Sequence, residues 1–238
     1  MKLILSDEVA NQFPELMIGV VVCRGLDNSG DSENLQGLRD QTIKEVRQRT
    51  SLTDLELIPE FDRWRKVFEV LGHKPKKNKP SAEALTRFVL ETGELRSFSP
   101  VVDLYLCAQL RSRWPIGGYD LEAIFGDIEL RRSKGGERFV ERGGIDRGDL
   151  TKAGEVVYAD ERNVLTRRWN WRDGGSAEIT NNTKDLVLMI EALIDPVELT
   201  GASLNRMLSE LGDDLHRYCG GTLTKFILSA EGVRSCEL

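Results

Sequence analysis

Histidine is nearly absent from this chain: its 238 residues hold two, His73 and His216. Neither has a second ligand at helical or hairpin spacing, so no metal is expected. A cysteine protease or serine hydrolase needs a histidine beside its nucleophile, and none is so placed. Cysteine is also scarce. Cys23, Cys107, Cys219 and Cys236 lack paired short spacing, and all four read as reduced thiols of a cytoplasmic protein. Long apolar runs are missing. Met17–Cys23 and Leu186–Ile190 are far too short to span a bilayer, so no membrane association is expected. Met1–Glu8 turns acidic at once and carries no secretory pattern. The Gly-Gly pairs that begin at Gly117, Gly135, Gly143, Gly174 and Gly220 lack the Lys-Ser/Thr of a phosphate-cradling loop and read as turns or close backbone approaches. An excess of basic charge is missing too. The net charge is −6, so any contact with nucleic acid must be local. The best local patch is His73-Lys74-Pro75-Lys76-Lys77-Asn78-Lys79-Pro80, whose default reading is a solvated loop.

What is present is an ordinary globular composition, 40% hydrophobic and 30% charged, which fits one domain over residues 1–238. Lys2–Ser6 reads as a short strand, Asp7–Phe13 as a turn or short helix, and the β-branched run Leu16–Arg24 as a buried strand. Glu33–Thr50 keeps a helical spacing through Leu35, Leu38, Ile43 and Val46. Pro59 opens a helix that carries Phe61, Trp64, Val67, Phe68 and Leu71 and stops at Gly72. Another starts near Pro80-Ser81, and Val101–Leu110 is a helix apolar nearly all round. Two hairpins follow: Ile128–Arg131 with Arg138–Glu141, and Glu155–Ala159 with Val164–Arg172. Strict alternation puts Leu165, Arg167, Trp169 and Trp171 on one side of the last strand, with Thr166, Arg168, Asn170 and Arg172 on the other. Thr183 is expected to cap a helix bearing Leu186, Val187, Met189, Ile190, Leu193 and Ile194. Ser203 caps a helix to Tyr218, and Thr222–Leu228 is a last strand. Helices and hairpins fall in separate runs, which argues for an α+β fold.

Asp103 sits in an otherwise apolar helix. It is either a clamp that accepts backbone N–H bonds or a pocket residue. Arg167-Arg168-Trp169-Asn170-Trp171-Arg172 mixes guanidiniums with indoles. Such a strand either stacks bases and holds phosphate, or is a sheet edge whose arginines pair with acids. Glu137, Glu155, Asp160 and Glu191 read by default as solvated or arginine-paired carboxylates.

One block carries more information. It runs Pro100-Val101-Val102-Asp103, then Trp114-Pro115-Ile116-Gly117-Gly118-Tyr119-Asp120-Leu121, then Asp127-Ile128-Glu129-Leu130-Arg131-Arg132 and Gly135-Gly136-Glu137. It resembles the tRNA-editing domain in the β chain of bacterial phenylalanyl-tRNA synthetase, formed from that chain's third and fourth modules. The similarity covers roughly residues 60–195 and is best over 98–140. The Trp169-Asn170-Trp171-Arg172 stretch is similar to the free-standing relatives of that domain. The resemblance implies an α+β fold with a β-sandwich-like core of hairpins flanked by helices. It implies no metal and no cofactor. It also implies a pocket for the aminoacylated 3′ end of a tRNA, where a positioned water cleaves a mischarged ester with help from the tRNA end itself. The pocket would draw on Gly117, Gly118 and Tyr119, on Trp169, Trp171 and Arg172, and on Thr180 and Thr183, with Asp103 nearby. Arg168 or Arg172 would hold phosphate, and Glu191 would orient the water.

The chain departs from that family at three polar positions. The family histidine falls on Gly117, and its asparagine falls near Leu106. The glutamate of its last helix falls on Met189, or on Glu191 if two residues are inserted. Three readings therefore stand side by side. One is an editing hydrolase, one is a non-catalytic module for RNA ends or a free amino acid, and one is a structural or regulatory partner.

Overall fold

Leu16–Arg24 is nine residues long and buried at every position but the last, so the chain places it at the centre of a sheet as strand β2. The computed structural model describes residues 1–30, 35–74, 76–193 and 197–238, with the backbone alone for 197–200. The expected first residues of the second helix, Glu33 and Asn34, lie outside the described residues, as do Pro75 and Ile194.

The elements in chain order are β1 (Lys2–Leu5), α1 (Asp7–Gln12), β2, α2 (Gln36–Arg49), α3 (Pro59–Val70), α4 (Ser81–Thr92), α5 (Pro100–Ser112), β3 (Ile116–Asp120), β4 (Ile128–Arg132), β5 (Val156–Ala159), β6 (Val164–Arg167), β7 (Arg172–Asp173), β8 (Leu186–Leu193), α6 (Val197–Cys219), β9 (Thr222–Ser229) and β10 (Ser235–Glu237). They form an α+β architecture with two sheets. One has the order β3-β8-β2-β9, and the other β10-β1-β4-β5-β6-β7. All pairings are antiparallel except β1 with β4.

The two sheets bury their facing sides against each other. Leu16, Ile18, Val20, Val187 and Met189 of one meet Leu3, Leu5, Ile128, Leu130 and Tyr158 of the other in one cluster. The outer side of the first sheet carries helices: Met17, Val21, Leu186, Leu188 and Ile190 pack with Leu104, Leu204, Leu208, Leu211 and Leu215. Gly19 makes the close approach of α6 feasible, because a Cβ there would stand 2.8 Å from Leu204 Cδ1.

Leu186–Leu193 corrects the sequence reading. It is a strand, not a helix, and all eight residues are buried. A strand covered by a second sheet on one side and by helices on the other reads as a continuous apolar run, which periodicity cannot tell from a buried helix. Thr183 caps no helix. Its hydroxyl donates to Asp120 Oδ2 at 2.6 Å and accepts from the Thr180 amide at 2.9 Å. The hairpin expected between β4 and Arg138–Glu141 does not form either. β4 pairs instead with β1 and β5, and residues 138–141 make only isolated bridges. The turn after β4 is closed by side chains: Glu137 accepts from Arg131 Nη2 at 2.5 Å and from the Lys134 amide at 3.1 Å. Ser203 lies inside α6 rather than at its start. Among the described residues, no helix is long and apolar enough to cross a membrane.

Asp103 is fully buried in α5 and acts as a clamp. Its Oδ2 accepts from Arg39 Nη1 of α2 and from Ser97 Oγ at 2.7 Å, and its Oδ1 accepts from the Phe98 amide at 2.9 Å. The carboxylate thus joins two helices and the loop before α5. Removing one partner of a buried pair strands the other charge, at a cost of about 3–5 kcal/mol. Asp103→Ala is expected to lose that much stability in urea unfolding, while Asp40→Ala on the exposed side of α2 stays within about 0.5 kcal/mol of the parent. Equal losses would argue against the clamp.

Candidate functional site

A cleft opens between the two sheets. Its floor comes from β3 and β8, through Gly117, Tyr119, Met189 and Glu191. Gly117 and Met189 are register partners, so they sit side by side. The opposite wall comes from Tyr158 of β5, Thr166 of β6 and Asp173 of β7, and the corner Trp169-Asn170-Trp171 closes one end.

Two local irregularities aim this wall. Tyr158 pairs with Thr166 while Ala159 pairs with Val164, so Leu165 is a bulge residue that shifts the face of everything after it. Arg168 and Trp169 then adopt left-handed φ values of 50° and 67°. Two such residues in succession are costly for side chains with a Cβ, and strain of this kind concentrates at functional sites. The expected alternation therefore breaks at Leu165, and the strand itself ends at Arg167. Thr166 faces the cleft, and Trp169 turns inward against Phe13 and Trp64, with ring centroids 5.0 and 5.1 Å away.

Glu191 lies at the centre. It sits on a strand and is 3% exposed. Its Oε1 accepts from the Tyr158 hydroxyl at 2.7 Å and from Trp169 Nε1 at 2.7 Å, and its Oε2 accepts from Asn170 Nδ2 at 2.8 Å. No cation pairs with it among the described residues. Burial dominates and raises its pKa to about 7; the Tyr158, Asn170 and Trp169 donors pull it down, and Asp173 pushes it up. The group is thus poised between acid and base near neutrality. Asn170 Oδ1 is buried without a partner. A half-turn of that amide offers an acceptor to protonated Glu191, so both protonation states can be satisfied.

A second chain of hydroxyls runs beside it. Thr166 Oγ1 donates to Asp173 Oδ1 at 2.9 Å and stands 2.5 Å from the Tyr119 hydroxyl. With its one proton given to Asp173, Thr166 accepts from Tyr119. Burial holds both Tyr119 and Tyr158 well above the ordinary tyrosine value, so each remains a donor. Asp173 Oδ2 stands 3.7 Å from Arg142 Nη2.

The expected site residues divide. Gly117, Tyr119, Trp169, Trp171 and Glu191 come together in the cleft. Gly118 does not: a Cβ there would stand 2.4 Å from Leu188 Cδ2, because that position faces the packed interior. Asp103 is occupied by Arg39 on the helical side of the first sheet. Thr180 and Thr183 form a closed turn away from the cleft; Thr180 O accepts from Asn28 Nδ2 at 2.7 Å. Arg168 and Arg172 flank Trp171 from outside, with guanidinium carbons 4.4 and 4.5 Å from its ring centroid. Arg172 also pairs with Glu141 at 2.6 Å. Thr166 and Asp173 escaped the sequence reading as site residues. A lone glutamate inside the apolar run Leu186–Leu193 was the available signal, since a buried carboxylate demands donors.

The family model of the B3/4 domain matches residues 63–210, well over half of the chain and all of the cleft. The chain belongs to the B3/4 domain family. It is similar to the phenylalanine–tRNA ligase beta subunit of Pseudoalteromonas translucida (strain TAC 125), with 31% identity over 131 residues, 54% of this chain and 16% of that protein. The corresponding subunit of Colwellia psychrerythraea (strain 34H) is 32% identical over 124 residues, 52% of this chain and 14% of its own length. This B3/4 chain therefore spans about a sixth of the curated relatives it matches. Among solved structures, an N-terminal fragment of the phenylalanyl-tRNA synthetase beta-subunit from Pyrococcus horikoshii aligns over 94% of this chain and 53% of the fragment, with 10% identity and a TM-score of 0.44.

The Glu191 environment has a consequence for this B3/4 domain's stability. Its carboxyl titrates near 7 when folded and at its ordinary value, 4.5, when unfolded. The folded state therefore binds the proton more tightly, and stability present below pH 4.5 is lost as pH rises through 7, by about 3 kcal/mol. Urea unfolding from pH 5 to 8 is expected to show the parent falling relative to Glu191→Gln across that window. Parallel stability curves would place the Glu191 pKa elsewhere.

Proposed function

We propose that this B3/4 domain hydrolyses the ester that links an amino acid to the 3′ end of a mischarged tRNA, in the cytoplasm, with Glu191 as general base. The observation that carries this reading is a buried carboxylate, raised to about 7 and aimed into a cleft walled by aromatic rings. Support comes also from family membership and from the relatives, both phenylalanine–tRNA ligase beta subunits. In the proposed step, a water oxygen attacks the ester carbonyl carbon while Glu191 takes one water proton. The tetrahedral intermediate collapses, the carbon–oxygen bond to the terminal ribose breaks, and Glu191 returns its proton to the departing ribose oxygen. The free amino acid and uncharged tRNA leave. The second hydrogen on Asn170 Nδ2 is available to the developing oxyanion. An aminoacyl ester is already activated, so positioning and fixed dipoles supply much of what the reaction requires.

Gly117 leaves room for the substrate. A Cβ built there meets no atom within 4 Å, so the cleft is open where the resemblance puts a histidine. That same absence favours a second reading, a domain that binds the tRNA end without cleaving it.

Deacylation time courses on a panel of correctly and wrongly charged tRNAs separate the two. Hydrolysis of a mischarged species is expected, with kcat lowered about 10²–10⁴-fold by Glu191→Gln. A base must be ionised to act, so kcat/KM should rise with pH through about 7. Gly117→Trp fills the cleft and should abolish turnover while the protein stays folded. Saturable tRNA binding with no hydrolysis anywhere on the panel would establish the binding reading instead.

A further inference from the structure

A second concavity lies around the corner from the cleft. It runs between the end of α3, the loop after it, the end of β4, the turn before β5 and the β6–β7 corner, with about 940 Å³ of empty space. Lys74, Lys77, Arg132, Lys152 and Arg168 line it, in a chain whose net charge is −6. Glu155 is the acid among them, and it is already engaged: Arg167 donates to both its oxygens, at 2.8 and 2.9 Å, and the Lys152 amide donates at 3.2 Å. Arg132 is 3.1 Å from Glu8. Among the described residues, Lys74, Lys77, Lys152 and Arg168 have no carboxylate within ion-pair distance. Burial and then Arg168, followed by Lys152 and Arg167, push the pKa of the His73 imidazole in this groove down against Glu155, as a local excess of positive charge does. His73 Nε2 has no hydrogen-bond partner.

The groove and the cleft share one corner. Arg168 lines the groove and stacks on Trp171, which lines the cleft. The cations come from four separate segments along an open trough, so they face a row of phosphates rather than one enclosed anion. We propose that this groove is the track for the sugar-phosphate backbone of the RNA strand whose 3′ end enters the cleft. The assignment rests on the reading that the cleft receives an RNA end. The lysines hold the strand by charge without reading its sequence, and Arg168 marks where backbone contact gives way to the aromatic cleft.

The test is fluorescence anisotropy with labelled, uncharged tRNA over a salt series. Uncharged tRNA carries no ester, so binding is read whether or not the cleft hydrolyses anything. Lys74→Ala/Lys77→Ala/Lys152→Ala changes three exposed side chains and should leave the melting temperature unaltered. It is expected to raise Kd at least tenfold at physiological salt. It should also flatten the slope of log K against log salt by about 2, at roughly 0.7 per lost contact to a single strand. Lys44→Ala/Lys66→Ala/Lys225→Ala, elsewhere on the surface, should change neither. Groove-dependent binding with no deacylation would sink the hydrolytic reading and leave the track standing. Unchanged affinity and slope in the first variant, or no tRNA binding by the parent, would overturn the track. Full displacement of tRNA by millimolar inorganic phosphate at constant ionic strength would also overturn it, in favour of a small-anion site.

Discussion

Everything at this site depends on one carboxylate that the fold takes out of water without giving it a cation. Glu191 stands on a strand covered on both faces and meets only the cleft, so protein donors rather than bulk water must satisfy its charge. Its donors come from the opposite sheet and from the corner beyond β6, so the same three hydrogen bonds that hold the charge also fasten the two sheets together. Neutral donors compensate burial only in part, which leaves the group near neutrality instead of strongly acidic. An arginine in their place would have built a permanent ion pair. Arg167–Glu155 and Arg39–Asp103 are the contrast within this molecule: both are buried pairs, and both tie structure together.

The corner that supplies two of those donors is strained. A bulge at Leu165 and left-handed backbone at Arg168 and Trp169 turn the Trp169 indole inward. The packing of that indole against Phe13 and Trp64 supports the strained geometry. The same turn sends Arg168 outward, so one irregularity serves the cleft and the basic groove alike.

The sequence reveals the fold class because helices and hairpins occupy separate runs, and β2, α3, α4 and α5 follow from burial pattern and proline position. It conceals β8, since eight buried residues in a row have no period to read. That error hides the most important fact about Glu191, namely which side of the element it shares with Val187, Met189 and Leu193. It conceals Thr166 and Asp173 for a different reason. Their direction depends on a bulge and on a two-residue strand, and neither leaves a mark in alternation. Gly117 and Tyr119 of the motif block line the cleft, while Asp103, Gly118, Thr180 and Thr183 lie outside it, in a helix clamp, in packing and in a closed turn.

The most direct test of this account is a carbon-13 NMR titration of protein labelled at the glutamate side-chain carboxyl carbon. One resonance with a midpoint near 7 is expected, absent from the Glu191→Gln spectrum. If every glutamate carboxyl titrates in the ordinary range, the poised carboxylate does not exist and the proposed chemistry loses its base.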